Sequence, residues 1–206
     1  MTPLFSIAYL PPVSWCEAAC KQETIAIEAH EHYQKGSLRN RCYIAGPNGV
    51  QRLSIPLLKG KHQQTPIREV RIASDQDWQR QHWRSIRTAY GNAPFFEHYA
   101  DELTPFFERR YSFLFDYNLD LLTFILQKKL GWRGEITFSE TWLPLGEWPH
   151  GSDLREAFSG ESGKWPVWFQ PLSYPQVFAE RFGFLPNLSV LDLLFCCGKN
   201  GREVLQ

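Results

Sequence analysis

The sequence predicts an α+β fold, with a small mixed β-sheet from the N-terminal third packed against a mostly helical middle and C-terminal part. Three observations carry this expectation. The N-terminal third alternates apolar and polar residues with the two-residue period of strands. Within it, Gly46-Pro47-Asn48-Gly49 supplies the turn chemistry of a β-hairpin. From Asp75 to Gly131 the apolar residues recur instead at helical spacing. A chain of 206 residues is enough for one domain with its own core, so residues 1–206 are expected to form a single domain.

The first element, "LFSIAYLPP", reads as a short buried strand ended by Pro11 and Pro12, and "VSWCEAACKQ" after it has helical composition. "ETIAIEAHEHY" then alternates through Ile25, Ile27 and Ala29 as a strand with one buried face. "RCYIAGPNGVQRLSIPL" is the hairpin, and "IREVRIAS" is expected to add a further strand. The motif order places "SIAYL", "TIAIEAHEHY" and the hairpin in one sheet.

Asp75 or Asp77 is positioned to cap a helix carrying Trp78, His82, Ile86 and Tyr90. Pro94 suits the entrance of a second helix after "GNAPFF". "FLFDYNLDLLTFILQKKLGW" is the third, ending at Gly131 with Lys128 and Lys129 in its last turn, where cations favour the carbonyl end. Trp142 to Pro171 is rich in Gly, Ser, Pro and Trp and reads as a long irregular excursion. "YPQVFAERFGF" and "SVLDLLFCCG" then read as two short closing helices.

Composition excludes several function classes. Lys plus Arg equals Asp plus Glu, 22 against 22, so no basic field draws the chain to a nucleic-acid backbone. No run approaches the ~20 apolar residues of a spanning helix, and the N-terminus has neither a basic region nor an unbroken apolar run. Five cysteines without an export signal read as reduced thiols, so the expected compartment is the cytoplasm. No residue pattern names a cofactor, and oligomeric state is not legible.

The chemistry-bearing residues concentrate in "EAHEHYQKGSLRNRC". Lys35, Arg39, Asn40 and Arg41 follow the second strand and lead into the hairpin, so they lie beside a loop at a sheet edge. Arg forks match phosphate or carboxylate oxygens and Lys adds a point charge, so a nucleotide-sugar diphosphate or a carboxylate is a fitting guest. The competing reading is a solvated turn with salt bridges to Glu28 or Glu31. If the strand runs on, Lys35, Arg39 and Arg41 share one parity, and a site that also uses Asn40 needs the irregularity Gly36 permits.

His30 and His32, two apart, would point to one face of a strand. One of them is a candidate general base, and the pair would hold a metal only if a third ligand such as His62 or a Cys came near. No third ligand stands at a recognisable spacing, so no metal site is assigned and an exposed or hydrogen-bonded pair remains the simpler reading. Cys16 and Cys20 share a helical face beneath Trp15 and read as buried structural thiols, and the adjacent Cys196 and Cys197 point apart. Tyr90, Asn92, Pro94, Phe95, Phe96 and Tyr99 form an aromatic junction near His82 and His98, either a packed helix corner or a sugar-stacking surface. Tyr9 and Asn187 are further polar candidates for the same cleft.

Five blocks in order, "AYLPPVSW", "HYQKGSLRNRCYI", "TPIREVRI", "W…H…AYGNAPFFEHY" and "YPQVFAERFGFLPNLSVLDLLF", resemble the landmarks of the WbqC-like protein family along nearly the whole chain. The resemblance implies a bacterial protein of O-antigen or other surface-polysaccharide biosynthesis. It implies a transferase that moves an amino-acyl or acyl group, such as glycine, onto a sugar, with a sugar, a nucleotide-sugar or an acyl donor as its small-molecule partner. The alternative is a non-catalytic sugar- or nucleotide-sugar-binding or assembly protein of the same pathway. The chain departs from the family pattern at His30 and His32, at Leu38, which stands where relatives carry an aromatic residue, and at Cys196 and Cys197.

Overall fold

The computed structural model describes residues 1–58, 65–159 and 164–205. Strand β1 (Leu4–Ser6), helix α1 (Val13–Cys20) and strand β2 (Thr24–Glu28) form a β-α-β unit in which the strands pair in parallel, Leu4 opposite Ala26 and Ser6 opposite Glu28. The hairpin follows, β3 (Arg41–Gly46) against β4 (Gly49–Ser54), in register from Arg41 opposite Ser54 to Gly46 opposite Gly49. Its two turn residues, Pro47 and Asn48, keep negative φ, and the left-handed step falls just after them on Gly49, with φ +101°.

Helices α2 (Trp78–Tyr90), α3 (Phe96–Glu108) and α4 (Leu114–Thr123) fill the middle, and strand β5 (Glu135–Phe138) follows α4. The short helices α5 (Ala179–Phe182), α6 (Val190–Cys197) and α7 (Gly201–Val204) close the chain. Helix α2 buries Trp78, His82, Ile86, Ala89 and Tyr90, one stripe at i, i+4 and i+8. Its last residue locks it to the hairpin, since the backbone N–H of Ala45 donates to the Tyr90 hydroxyl at 2.9 Å. Helix α4 runs on as a π-helical turn over Phe124–Lys129, and Gly131, with φ +65°, breaks it. One apolar cluster joins Phe5, Trp15, Ile44, Ile86, Leu122 and Phe195, so sheet, hairpin and helices share a core.

The α+β expectation holds, and so do the hairpin and the three central helices. Three details differ. The hairpin does not join the sheet of β1 and β2; the third strand there is β5, parallel to β2 with Ile25 opposite Ile136. The expected strand "IREVRIAS" is instead a 3-10 turn, Ile67–Glu69, with isolated bridges at Arg71 and Ile72, because Pro66 opens the segment and the Ile67 N–H donates to the carbonyl of Glu31. Strand β2 stops at Glu28 rather than reaching Tyr33. The next two donors turn aside, Ala29 N–H to Ser139 Oγ at 3.0 Å and His30 N–H to Glu28 Oε1 at 2.8 Å, and a ladder cannot continue without them.

The excursion after β5 carries no strand or helix among its described residues up to Pro171, yet it has a structural task. Leu4 N–H donates to Ser152, and Leu154 N–H donates back to Leu4, so the excursion covers the outer edge of β1.

Candidate functional site

All three strands of the parallel sheet end at the same place. Ser6 closes β1, Glu28 closes β2, and Ser139 follows β5. Open sheets of this kind bind ligands beyond the carboxyl ends of their strands, because the chain there turns into loops that carry chosen side chains. Here those positions and the loops around them hold three carboxylates, two guanidiniums and two hydroxyls in a largely buried group.

Arg39 is 3% exposed and grips Glu31 with both arms of its fork, Nε to Oε1 at 2.8 Å and Nη2 to Oε2. Nη2 also donates to Ser6 Oγ at 2.8 Å, and Ser6 Oγ lies 2.9 Å from Glu31 Oε2. Burial pushes the Glu31 carboxyl above the usual range, opposed by the hydrogen bond and charge of Arg39 and reinforced by the like charge of Glu28. Glu28, fully buried, accepts from Ser139 Oγ at 2.6 Å and from Arg155 Nη1 at 3.1 Å.

Arg155 is saturated. Its five N–H groups go to Glu28, to both oxygens of Asp153, and to the carbonyls of Leu143 and Pro144. Burial raises the Asp153 carboxyl, but hydrogen bonds from Arg155 and backbone N–H groups outweigh it and hold the pKa low. Arg155 therefore clamps the excursion onto the strand ends. Arg39 is not saturated: its Nη1 makes one long bond, 3.4 Å to Gln34, and keeps a second N–H without an acceptor among the described residues.

Ser6, Arg39 and Arg155 of this group line a cleft of 390 Å³, completed by Ile7, Ala8, Trp15, the 34–38 loop, Glu156, Phe158 and Ser159. The volume suits a small molecule, and Trp15 and Phe158 make part of it apolar. A second cleft of 430 Å³ adjoins it and shares Gln34, Lys35, Arg155 and Glu156.

The residues singled out from the sequence separate in space. Lys35 lies exposed between the two clefts, and Arg39 lines the first. Arg41 starts β3 and lines neither. Asn40 is a hairpin support, donating to the Ile55 carbonyl and accepting from the Tyr33 hydroxyl, both at 2.9 Å. The strand parity expected for Lys35, Arg39 and Arg41 does not arise, because the segment from Ala29 to Asn40 is outside any strand. The salt bridge to Glu31 does form, but inside the protein rather than on a solvated turn.

His30 and His32 are both exposed and off the strand, and His32 lines the second cleft. His62 lies outside the described residues, and no group of three or more His, Cys, Asp or Glu arranged to hold a metal ion occurs among the described ones. Tyr9 and Tyr90 are fully buried, their hydroxyls spent on His82 Nδ1 at 2.9 Å and Ala45 N–H, and Asn92 is exposed on the turn between α2 and α3. Asn187 accepts from the Ser14 N–H at 2.9 Å and so caps α1 from the far end of the chain. Burial works against the thiolate form at all five cysteines, pushing Cys20 up to about 12 and Cys197 to about 11 and raising the other three as well.

Sequence reasoning missed Ser6, Ser139, Asp153 and Arg155, and placed Glu28 only as a salt-bridge partner on a solvated turn. Only Glu28 left a trace, a carboxylate inside the otherwise apolar strand "TIAIE". That trace becomes legible once β2 is known to be the central strand, buried on both faces.

Comparison with known proteins gives two matches. The model of the WbqC-like protein family matches residues 8–148, which takes in Glu28, Glu31, the 34–39 loop, the hairpin and Ser139 but not Ser6, Asp153, Arg155 or Phe158. The uncharacterized protein Rv1507c of Mycobacterium tuberculosis is 28% identical over 220 residues, covering 96% of this chain and 94% of that protein. No solved structure matches the chain.

Proposed function

The chain belongs to the WbqC-like protein family, and from that premise we propose that it is a cytoplasmic transferase of bacterial surface-polysaccharide biosynthesis, moving an acyl or amino-acyl group onto an amino sugar in the first cleft. The observation that carries this reading is the Ser6 hydroxyl, held in the cleft wall between a carboxylate and a guanidinium. A hydroxyl needs a partner to take its proton, and Glu31 Oε2 stands at hydrogen-bonding distance with its basicity raised by burial. Arg39 then offsets the negative charge that develops on Ser6 Oγ.

In the proposed reaction Ser6 Oγ attacks the carbonyl carbon of the donor and its proton passes to Glu31. The bond from that carbon to the leaving group breaks, and the leaving group departs with the electron pair and the proton. The amine of the acceptor sugar next attacks the Ser6 ester. An amide forms as the bond from the carbonyl carbon to Ser6 Oγ breaks, and the proton lost by the amine passes through Glu31 to Oγ, restoring the hydroxyl. The free N–H of Arg39 Nη1 is placed to hold the carbonyl oxygen or an anionic group of the donor.

The test is incubation with activated acyl donors and amino sugars, read by mass change of the sugar. Ser6→Ala is expected to lower the rate at least 100-fold, roughly what a lost covalent route or a lost oxyanion donor costs. Acylation of the protein at Ser6, seen as an added mass on that peptide, is expected with slow acceptors. Full activity in Ser6→Ala would exclude the covalent route. A second reading, a non-catalytic sugar-binding protein of the same pathway, draws on the saturation of Arg155 and the aromatic lining by Trp15 and Phe158. It gains if sugars bind in the cleft and no combination of donor and acceptor is turned over.

A further inference from the structure

The second cleft differs in kind from the first. Its lip is Trp142, 52% exposed, and Leu145, 55% exposed, a patch of apolar surface on an excursion that otherwise packs its rings. No other ring lies against Trp142 among the described residues, whereas Trp148 and Trp165 each meet a neighbour at about 5 to 6 Å, His150 and Phe169 respectively. The cleft is also lined by the exposed side chains of His32, Gln34, Lys35 and Glu156, so Lys35 is its one exposed cation of fixed charge among the described residues and Glu156 its exposed carboxylate. A bare indole beside an ammonium group is what recognises a ring that has one apolar face and carries an anion.

The location of the available charge fixes how such a ligand would lie. Arg155 has no donor to spare, and Arg39 faces the first cleft. Lys35 makes no ion pair among the described residues and borders both clefts. An anionic group on Lys35 therefore sits at the junction. The ring it carries then extends over Trp142, and the first cleft is left to the group held near Ser6.

We infer that the second cleft is a binding subsite for a phosphorylated ring, with Trp142 as its stacking platform and Lys35 as its phosphate anchor. The inference rests on the transferase reading above only in the role it gives this ligand, that of the acceptor. A sugar phosphate and a nucleotide share the chemistry, and the experiment separates them.

Titration calorimetry of the whole chain with glucose 1-phosphate, uridine monophosphate, glucose and inorganic phosphate is the test. At least one of the two phosphorylated rings is expected to bind at least about tenfold more tightly than glucose or phosphate alone, and the tighter of the two identifies the source. Trp142→Ala and Lys35→Ala should each weaken that ligand by about tenfold, with Lys35→Arg recovering part of the loss, and Ser6→Ala should leave the affinity as it is. Failure of both phosphorylated rings to bind at millimolar concentration overturns the subsite. So does binding that neither Trp142→Ala nor Lys35→Ala weakens. Binding at Trp142 with no transfer activity leaves the subsite standing and removes the transferase reading. Transfer that needs Ser6 but has the same acceptor KM in Trp142→Ala does the reverse.

Discussion

Arg39→Ala is expected to destabilise the folded chain by about 3–5 kcal/mol, the cost of leaving one partner of a buried ion pair uncompensated. The size follows from what remains. Without the guanidinium, Glu31 keeps a single hydrogen bond from Ser6, is 5% exposed, and feels the like charge of Glu28. Nearby Glu28 keeps its own partners, so the damage centres on Glu31. Read alone, the sequence puts this arginine on an exposed loop, where its loss would be nearly silent in stability. Denaturant unfolding of wild type, Arg39→Ala and the double variant Arg39→Met with Glu31→Leu separates the two pictures. The single variant should fall by the full amount, and the double variant should recover most of it, since an apolar pair of similar volume removes the stranded charge. A loss under 1 kcal/mol in Arg39→Ala would mean that Glu31 escapes to solvent or takes up a proton at little cost.

What the sequence shows and hides about this fold follows the distance over which each element is decided. The hairpin and the helices α2, α3 and α4 are written locally, in turn residues and in a stripe such as Trp78, His82, Ile86 and Tyr90, and they appear where the pattern puts them. Strand β5 is only four residues, Glu135–Phe138, and its pairing partner lies more than a hundred residues earlier, Ile25 opposite Ile136. Nothing in "EITF" distinguishes it from a loop until β2 presents an open edge. The same applies to the end of β2, which is set by side-chain acceptors from Glu28 and Ser139 rather than by any turn residue.

The site was half legible for the same reason. Lys35 and Arg39 stand out as a cluster of cations and do line the cleft, and Glu31 is named as a partner for a solvated turn, but the sequence does not show that Arg39 and Glu31 are buried together with Ser6. Arg155 lies in an aperiodic segment and owes its place to five acceptors drawn from Glu28 in β2 and from the loop after β5. Burial of charge at the convergent ends of three strands is a property of the assembled sheet. Apart from Glu28 in "TIAIE", single strands carry no sign of it.

The buried imidazole of His82 gives the fold a titration whose sign runs toward acid unfolding. Burial lowers its pKa to about 4 from an ordinary value of 6.5, with the backbone hydrogen bond to Ser54 acting weakly the other way. Its Nδ1 meets the Tyr9 hydroxyl at 2.9 Å, and Trp78 packs edge-on against the ring, so the neutral form is the one the core accommodates. Because the folded pKa lies below the unfolded one, the unfolded chain binds more protons between those two values. Stability from His82 is therefore complete above about pH 6.5 and is lost as the pH falls toward 4, by up to about 3 kcal/mol. Glu31 and Asp192 act in the opposite sense, since burial raises both carboxyl pKa values and favours the folded state in acid. The measurable quantity is thus the difference between wild type and His82→Gln, which keeps a polar group against Tyr9 but cannot be protonated. Unfolding free energies taken at intervals from pH 7 to pH 4 should converge or cross as the pH falls, the wild type losing the extra stability and the variant not. Parallel curves across that range would show that His82 titrates in the folded protein as freely as it does in the unfolded chain, and so is not held neutral by the core.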